Sequence, residues 1–392
     1  MNKKLHIVSV HGFYQWTGGE DSVFRAEKKL LSDHGHTITS WEKSNKELLD
    51  HNSLIALSKT IWNHDSYRKF KALLCKTKPD IVHCHNTFGI ISPSIYYAAS
   101  SLNIPVVQTL HNYRYCCLNA TLFRDGVVCE KCTGKSLAWP GVAHRCYHEQ
   151  LAPSLGMFAT QTLHRAAGTW KKHINAYIAL TDSARQRFIK AGLPPDKIFV
   201  KPNFVFDMGE RKTAGKDYVL FVGRLSEEKG VRLLADAWQN LSGIPLKIAG
   251  TGPLKSVLEN VNGVELLDWV KPDSLRKLVK GAKFVIVPSL CYEQFPMAVA
   301  ESFCCGVPVL ASNHGAMADL VEDGVTGRLF EPGSAASLAA VTTEMWNDNK
   351  LCIHIGKNAR KKYMSSFSPD ENYKHLMHIY NTTILNYKNV NF

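Results

Sequence analysis

Two glutamates, Glu293 and Glu301, sit with seven residues between them in the stretch FVIVPSLCYEQFPMAVAESFCCGVPVLAS, residues 284–312. An ionised carboxylate accepts hydrogen bonds at two oxygens, so it can take both hydroxyls of a vicinal diol. A helix start offers unpaired N–H groups and positive potential, which suit a phosphate. Diols flanking a diphosphate are the parts of a sugar nucleotide. The same residue types also serve as a solvated loop carboxylate and a salt-bridged helix carboxylate, the common state of glutamate.

The elements that must position this pair are legible. Phe284, Val285, Ile286 and Val287 form a β-branched apolar run cut off by Pro288, which predicts a buried parallel strand. Pro296 suits the first helical position, the helix runs through Met297 and Ala300, and Gly306 ends it. Val307-Pro308-Val309-Leu310 begins the next strand. Glu293 therefore lies at the mouth of the helix, with Glu301 inside it.

Upstream, Tyr218–Leu225 reads as a strand running into Gly223-Arg224, followed by Ser226-Glu227-Glu228-Lys229-Gly230. Arg224 and Lys229 repel each other on one loop unless an anion lies between them. A diphosphate supplies that anion; pairing with Glu227 and Glu228 is the alternative. Leu246-Lys247-Ile248-Ala249 is a further strand, ending in the turn Gly250-Thr251-Gly252-Pro253.

Pro288-Ser289, the Glu293/Glu301 pair and Cys305-Gly306-Val307-Pro308-Val309 together resemble the signature of the family 4 retaining glycosyltransferases. One departure stands out: the family's Glu-Gly-Phe is Glu293-Gln294-Phe295 here. The resemblance implies a GT-B fold, two Rossmann-like doubly wound α/β domains facing a central cleft. It implies a nucleoside-diphosphate sugar as donor substrate, with no cofactor required for catalysis. Glu301 would hold the ribose diol and Glu293 the hydroxyls of the transferred sugar, with Arg224 and Lys229 on the diphosphate. Gly250, Gly252, Phe295, Pro296 and Met297 would complete the nucleotide-sugar site. The sequence has no Asp-x-Asp triplet, so fixed cations are expected in place of a catalytic divalent metal.

The first half alternates strands and helices, which means a parallel sheet with right-handed crossovers. LHIVSV (5–10) leads through a loop to Gly18-Gly19 and a helix closed by Gly35. Two glycines before a helix are most often a turn; the family resemblance places Gly18 and Gly19 against the donor diphosphate and the acceptor. Strands at 80–86 and 104–112 end in His85 and His111, and ligands of open α/β sheets bind outside such carboxyl ends. Leu110-His111-Asn112 resembles the family motif whose histidine contacts the donor sugar, and His85 is a candidate on the acceptor side.

Cys117, Cys129, Cys132 and Cys146 make a C-x11-C-x2-C-x13-C pattern within residues 113–150. It reads either as a four-thiolate structural zinc site, with Cys116, His144 and His148 as rival ligands, or as unligated cysteines. A stretch from Ser154 to Lys172 is expected to be helical, its apolar residues followed by a basic end. It reads as a packed helix or as one lying at a membrane face. The expected domains are 1–204, with the cysteine-rich insertion, and 217–367, joined by a charged linker at about 205–216. Residues 368–392 form a helix that, by resemblance, crosses back to the first domain.

Composition sets the outer limits. The 392 residues suffice for two cores, and 45% apolar with 21% charged residues is the balance of a globular protein. No run approaches a membrane span, and the N-terminal apolar run is too short for a signal peptide, so a cytoplasmic protein with reduced or metal-bound cysteines is expected. The net charge of +13 is concentrated in residues 1–200, where 25 Lys and Arg face 14 Asp and Glu. That asymmetry suits nucleic acid, an anionic membrane face or a phosphorylated acceptor, and it equally serves general solubility. A nicotinamide-type oxidoreductase would need Gly-x-Gly-x-x-Gly after the first strand, where Gly18-Gly19-Glu20 stands instead. A zinc-ribbon nucleic-acid-binding protein would leave the second half unexplained. The family resemblance implies a hexosyltransferase of surface-polysaccharide assembly, acting on a glycan or polyprenyl-diphosphate-linked acceptor, with no nucleic-acid partner expected.

Overall fold

The computed structural model describes residues 3–14, 18–48, 53–211 and 218–391. Lys212 and Lys216 of the expected linker, and Gln15–Thr17 of the loop before the first helix, lie outside these residues. Contacts divide the chain into two units. Unit 1 takes the chain up to Thr121, Glu130–Lys201 and everything from Tyr373 on; unit 2 takes Leu122–Cys129 and Pro202–Asn372.

Unit 1 is built on six parallel strands, β1 (His6–Phe13), β2 (Thr37–Ser44), β3 (Ile81–Asn86), β4 (Val106–Thr109), β7 (Ala176–Ala179) and β8 (Ile198–Val200), in the order β2-β1-β3-β4-β7-β8. β3, β4 and β7 are buried at every position, as strands covered by helices on both faces must be. The intervening β5 (Phe123–Arg124) and β6 (Val127–Val128) form a small antiparallel hairpin within unit 2. Its turn residues Asp125 and Gly126 both have positive φ, 52° and 78°, the geometry that matches strand twist in a two-residue hairpin.

Unit 2 repeats the plan with β9 (Val219–Val222), β10 (Leu246–Ala249), β11 (Val264–Leu266), β12 (Phe284–Val287), β13 (Val309–Ser312) and β14 (Gly327–Phe330), in the order β11-β10-β9-β12-β13-β14. All of its pairings are parallel. Phe221, Leu234, Trp238, Ile248, Phe284 and Leu310 lie together in its core. The strand order reverses between β9 and β12, the place where doubly wound sheets open a binding crevice.

The expected strand, helix and strand over 284–312 form as β12, the helix Met297–Cys304 and β13. Pro296 falls one residue earlier than expected, at the cap, with φ −68° and ψ 110°. The expected helix from Ser154 to Lys172 is two: Leu151–Ala166 and Thr169–Lys172, separated by Gly168 at φ +71°. The terminal helix spans Pro369–Asn391, and its residues from Tyr373 belong to unit 1. Among the described residues no helix is long and apolar enough to cross a membrane.

Candidate functional site

In unit 2 three loops follow the adjacent strands β10, β9 and β12. They pack backbone to backbone. A Cβ on Gly250 (φ +157°) would sit 1.8 Å from the Gly223 carbonyl oxygen, and one on Gly230 (φ +74°) 2.1 Å from the Pro288 oxygen. A Cβ on Gly252 would lie 2.4 Å from the Leu225 oxygen. Gly223 N–H donates to Ala249 O and Leu225 N–H to Thr251 O, which locks the Arg224 loop to the Gly250-Thr251-Gly252 turn. The glycines are required for this close packing, which fixes where Arg224 and Lys229 start.

Lys229 Nζ pairs with Glu293 Oε1 at 2.5 Å, and Ser289 Oγ donates to the same oxygen at 2.7 Å. Burial works against the Lys229 ammonium, but Glu293 outweighs it and raises its pKa above the ordinary value. The His314 ring nitrogen Nε2 bonds the Ser289 carbonyl at 2.8 Å and braces the loop from β13. Arg224 pairs with Glu228, and burial of Glu228, which would raise its pKa, is outweighed by that guanidinium. Arg232 pairs with Glu227. The two loop cations are thus neutralised by glutamates, Lys229 through Glu293 and Arg224 through Glu228. The residue types alone leave a diphosphate or pairing with Glu227 and Glu228 open, and the Lys229–Glu293 pair is not among those alternatives.

Glu301 is different. Its side chain is half-buried and has no partner among the described residues, and burial pushes its carboxyl above the ordinary value. Phe295 is buried edge-to-face on Phe367 at 5.5 Å, so its side chain belongs to the core, and Met297 Sδ lies 3.7 Å from Asn203 Nδ2. Gln294, the departure from the family loop, is buried with both amide atoms unpaired.

In unit 1, Gly18, Gly19, His85 and His111 come to the ends of the neighbouring strands β1, β3 and β4. Asp21 accepts from Gly18 N–H at 2.9 Å and contacts His11 Nε2 at 2.7 Å, pinning the start of the helix Gly19–Asp33. Gly18 is extended, and nothing lies within 4 Å of where a Cβ would stand. Glu20, next along, is pushed up to about 8 by burial and by the charge of Asp21, against Arg114, Asn112 and Tyr14. His85 is 3% exposed, too enclosed to touch an acceptor; its Nδ1 lies 2.9 Å from His111 Nε2.

Cys117, Cys129, Cys132 and Cys146 are not brought together as a metal site. Among the described residues, the groups with ligand atoms within 4.8 Å of one another are Glu27, His83, His85 and His11, Glu20, Asp21. Cys129 also belongs to unit 2 while the other three belong to unit 1. The zinc expectation is therefore not supported, and the segment is organised by the Asp125-Gly126 hairpin and its own backbone bonds.

Sequence reasoning missed Glu27, Lys201 and Glu20, and noted Gln294 only as a departure from the family loop. Gln294 had a signal in the glycine it replaces. Glu27 and Lys201 had none, because a charge in an amphipathic helix or after a strand looks solvated until its distant partner is known.

Residues 17–206 match the family Glycosyltransferase Family 4 and residues 207–362 match Glycosyl transferases group 1. The chain belongs to the family 4 glycosyltransferases. It is 27% identical over 214 residues to the uncharacterized glycosyltransferase MJ1607 of Methanocaldococcus jannaschii, covering 51% of this chain and 55% of that protein. It is 28% identical over 185 residues to the O-antigen chain mannosyltransferase C of Escherichia coli, covering 44% and 49%. These matches span about half the length of each relative. Among solved structures, Anabaena Alr3699/HepE in complex with UDP and glucose superposes with a TM-score of 0.67 at 17% identity, covering 96% of this chain and all of that one. The fold is GT-B.

Proposed function

We propose that this family 4 chain is a retaining glycosyltransferase that moves a hexose-type sugar from a nucleoside-diphosphate sugar to a glycan or polyprenyl-diphosphate-linked acceptor in surface-polysaccharide assembly. The observation that carries the reading is the contrast in unit 2 between a neutralised Lys229–Glu293 pair and an unpaired Glu301 on the adjoining helix. A free carboxylate beside a helix start accepts a ribose diol. Glu293, already oriented by Lys229 and Ser289, has its second oxygen for the hydroxyls of the transferred sugar. Arg224 and Lys229 face the diphosphate, where charge builds as the glycosidic bond breaks; cations placed there beforehand lower the barrier. Gly250, Gly252 and the backbone at Phe295, Pro296 and Met297 shape the donor site. Gly18, Gly19 and His111 are assigned to donor contacts by the family resemblance alone. The leaving phosphate takes the proton of the acceptor hydroxyl as it attacks on the same face of the sugar.

The E. coli relative is an O-antigen chain mannosyltransferase and the Anabaena structure is a complex with UDP and glucose, which supports the pathway and the donor class. A cytoplasmic enzyme working at the inner membrane face is supported by the helix Leu151–Ala166. Its Leu151, Leu155 and Leu163 are exposed, and Lys171-Lys172 follows.

A panel of UDP- and GDP-sugars, scored by thermal shift and hydrolysis, tests the donor. Lys229→Ala and Glu293→Ala should each abolish transfer with unit 2 still folded; wild-type rates in either variant remove the role given to that residue.

A further inference from the structure

We infer that Lys201, Glu27 and His85 form a buried relay that holds His111 in a single tautomer, protonated at Nε2 and bare at Nδ1, so that His111 meets the sugar as a hydrogen-bond acceptor. The relay lies wholly in unit 1. Lys201 Nζ contacts Glu27 Oε1 at 2.8 Å, His85 Nε2 approaches Glu27 Oε2 at 3.2 Å, and His85 Nδ1 lies 2.9 Å from His111 Nε2. Lys201, Glu27 and His85 are all at most 3% exposed.

The proton positions follow from the ends inward. Burial alone would raise the Glu27 carboxyl, but Lys201 and the His85 contact outweigh it and hold it well below the ordinary range. An ionised carboxylate only accepts, so the hydrogen in its contact with His85 sits on Nε2. That contact is poorly aligned, yet Oε2 has no better donor. His83 Nδ1 is 4.0 Å away and bonded to Tyr380 OH, while its Nε2 is bonded to Thr109. Lys201 already balances the Glu27 charge, and with the hydrogen of His85 placed on Nε2 its Nδ1 is the acceptor. The 2.9 Å bond then needs the hydrogen of His111 Nε2. Burial lowers His111 well below its ordinary value, so its ring is neutral and carries one hydrogen. Nδ1 is left bare, with no partner among the described residues.

A bare Nδ1 accepts from a sugar hydroxyl and turns away a carboxylate. Glu27, Lys201 and His85 are positioning residues here. The contact with sugar rests on the function proposed above; the tautomer does not.

The test is nitrogen-15 NMR of the full chain carrying ring-labelled histidine, with His111→Phe assigning the signal. Long-range nitrogen–proton correlations distinguish a protonated from a bare ring nitrogen. Wild type should show His111 protonated at Nε2 and bare at Nδ1. In Glu27→Gln the carboxamide can donate to His85 Nε2 and reverse the chain, so the Nδ1-protonated form of His111 should appear. Wild-type His111 protonated at Nδ1 overturns the relay, as does an unchanged tautomer in folded Glu27→Gln. If that variant fails to fold, the wild-type spectrum decides alone. Lys229→Ala should keep the wild-type tautomer whatever it does to transfer, which separates failure of the relay from failure of the glycosyltransferase reading.

Discussion

Glu20 is the residue whose ionisation should be felt most. It opens the helix Gly19–Asp33 beside Gly18, and its carboxyl is pushed from 4.5 to about 8 by burial and by neighbouring Asp21. A carboxyl whose pKa is higher folded than unfolded binds more protons in the native state between the two values. Stability therefore falls as pH rises through that window, from about 4.5 to about 8. With about 1.36 kcal/mol per pKa unit, the loss is about 2 kcal/mol at pH 6 and about 4.7 kcal/mol at pH 9. Glutamine mimics the protonated acid and does not titrate. Glu20→Gln should therefore gain about 2.7 kcal/mol over wild type on going from pH 6 to pH 9. For a unit of roughly two hundred residues this amounts to roughly 5 to 10 °C in melting temperature.

The assay is a pair of melting curves for wild type and Glu20→Gln at both pH values and constant ionic strength. A difference that widens toward high pH supports the reasoning. Parallel behaviour at the two pH values refutes it, because a solvated glutamate has already ionised at both. The sign bears on function as well. A neutral Glu20 does not repel a diphosphate placed near Gly18 and Gly19, so transfer should decline above about pH 8 in wild type and persist in Glu20→Gln.

Gly250→Ala should cost more than about 3 kcal/mol, since its Cβ would meet the Gly223 carbonyl oxygen at 1.8 Å with no flexible side chain to yield; a melting temperature within a degree of wild type would contradict this. Glu228→Gln releases Arg224 and should tighten UDP binding by up to about 1 kcal/mol, roughly fivefold, in titration calorimetry; weaker binding would mean that Glu228 aims the guanidinium instead. Gln294→Leu removes two unpaired buried amide atoms. It should raise the melting temperature of the unliganded protein, by about 1 to 3 kcal/mol of stability, while lowering turnover; a lowered melting temperature would show that the amide is already satisfied.

Much of the architecture was legible because apolar runs broken by Pro and Gly carry local information. Phe284–Val287 ending at Pro288, and Val309–Ser312 after Gly306, are strands where the residue types place them. Glu293 and Glu301 were singled out by the family resemblance, since spacing alone left them equally readable as a solvated and a salt-bridged carboxylate. What the sequence withheld was partnership over distance. Glu27 and Lys201 are 174 residues apart, and no local pattern marks either as buried. His85 looked like a surface ligand because it ends a strand; Glu27 and His111 on either side of it make it internal. By residue type Arg224 and Lys229 lay open to a diphosphate or to Glu227 and Glu228, with the family resemblance favouring the diphosphate, and only coordinates show that Lys229 takes the distant Glu293. The cysteine spacing suggested a metal, but spacing does not make the thiolates converge.

Those pairings bear on how a donor enters. The Arg224 side chain is 65% exposed, so its bond to Glu228 is worth under about 1 kcal/mol and yields readily to a diphosphate. Lys229 and Glu293 are more enclosed, at 28% and 13%, and Ser289 donates to the same Glu293 oxygen. Separating them would leave a partly buried carboxylate unpaired, which costs more than the outer pair is worth. Arg224 should therefore exchange partners when the diphosphate binds, while Lys229 keeps Glu293 and turns its remaining N–H bonds to phosphate. On this view, Arg224→Ala weakens nucleotide binding and leaves the sugar-binding carboxylate in place. Lys229→Ala loses both, because Glu293 loses the cation that orients it. UDP affinity and turnover measured on the two variants separate these outcomes: equal losses in both would mean that the two cations act alike and that the inner pair does not persist through binding.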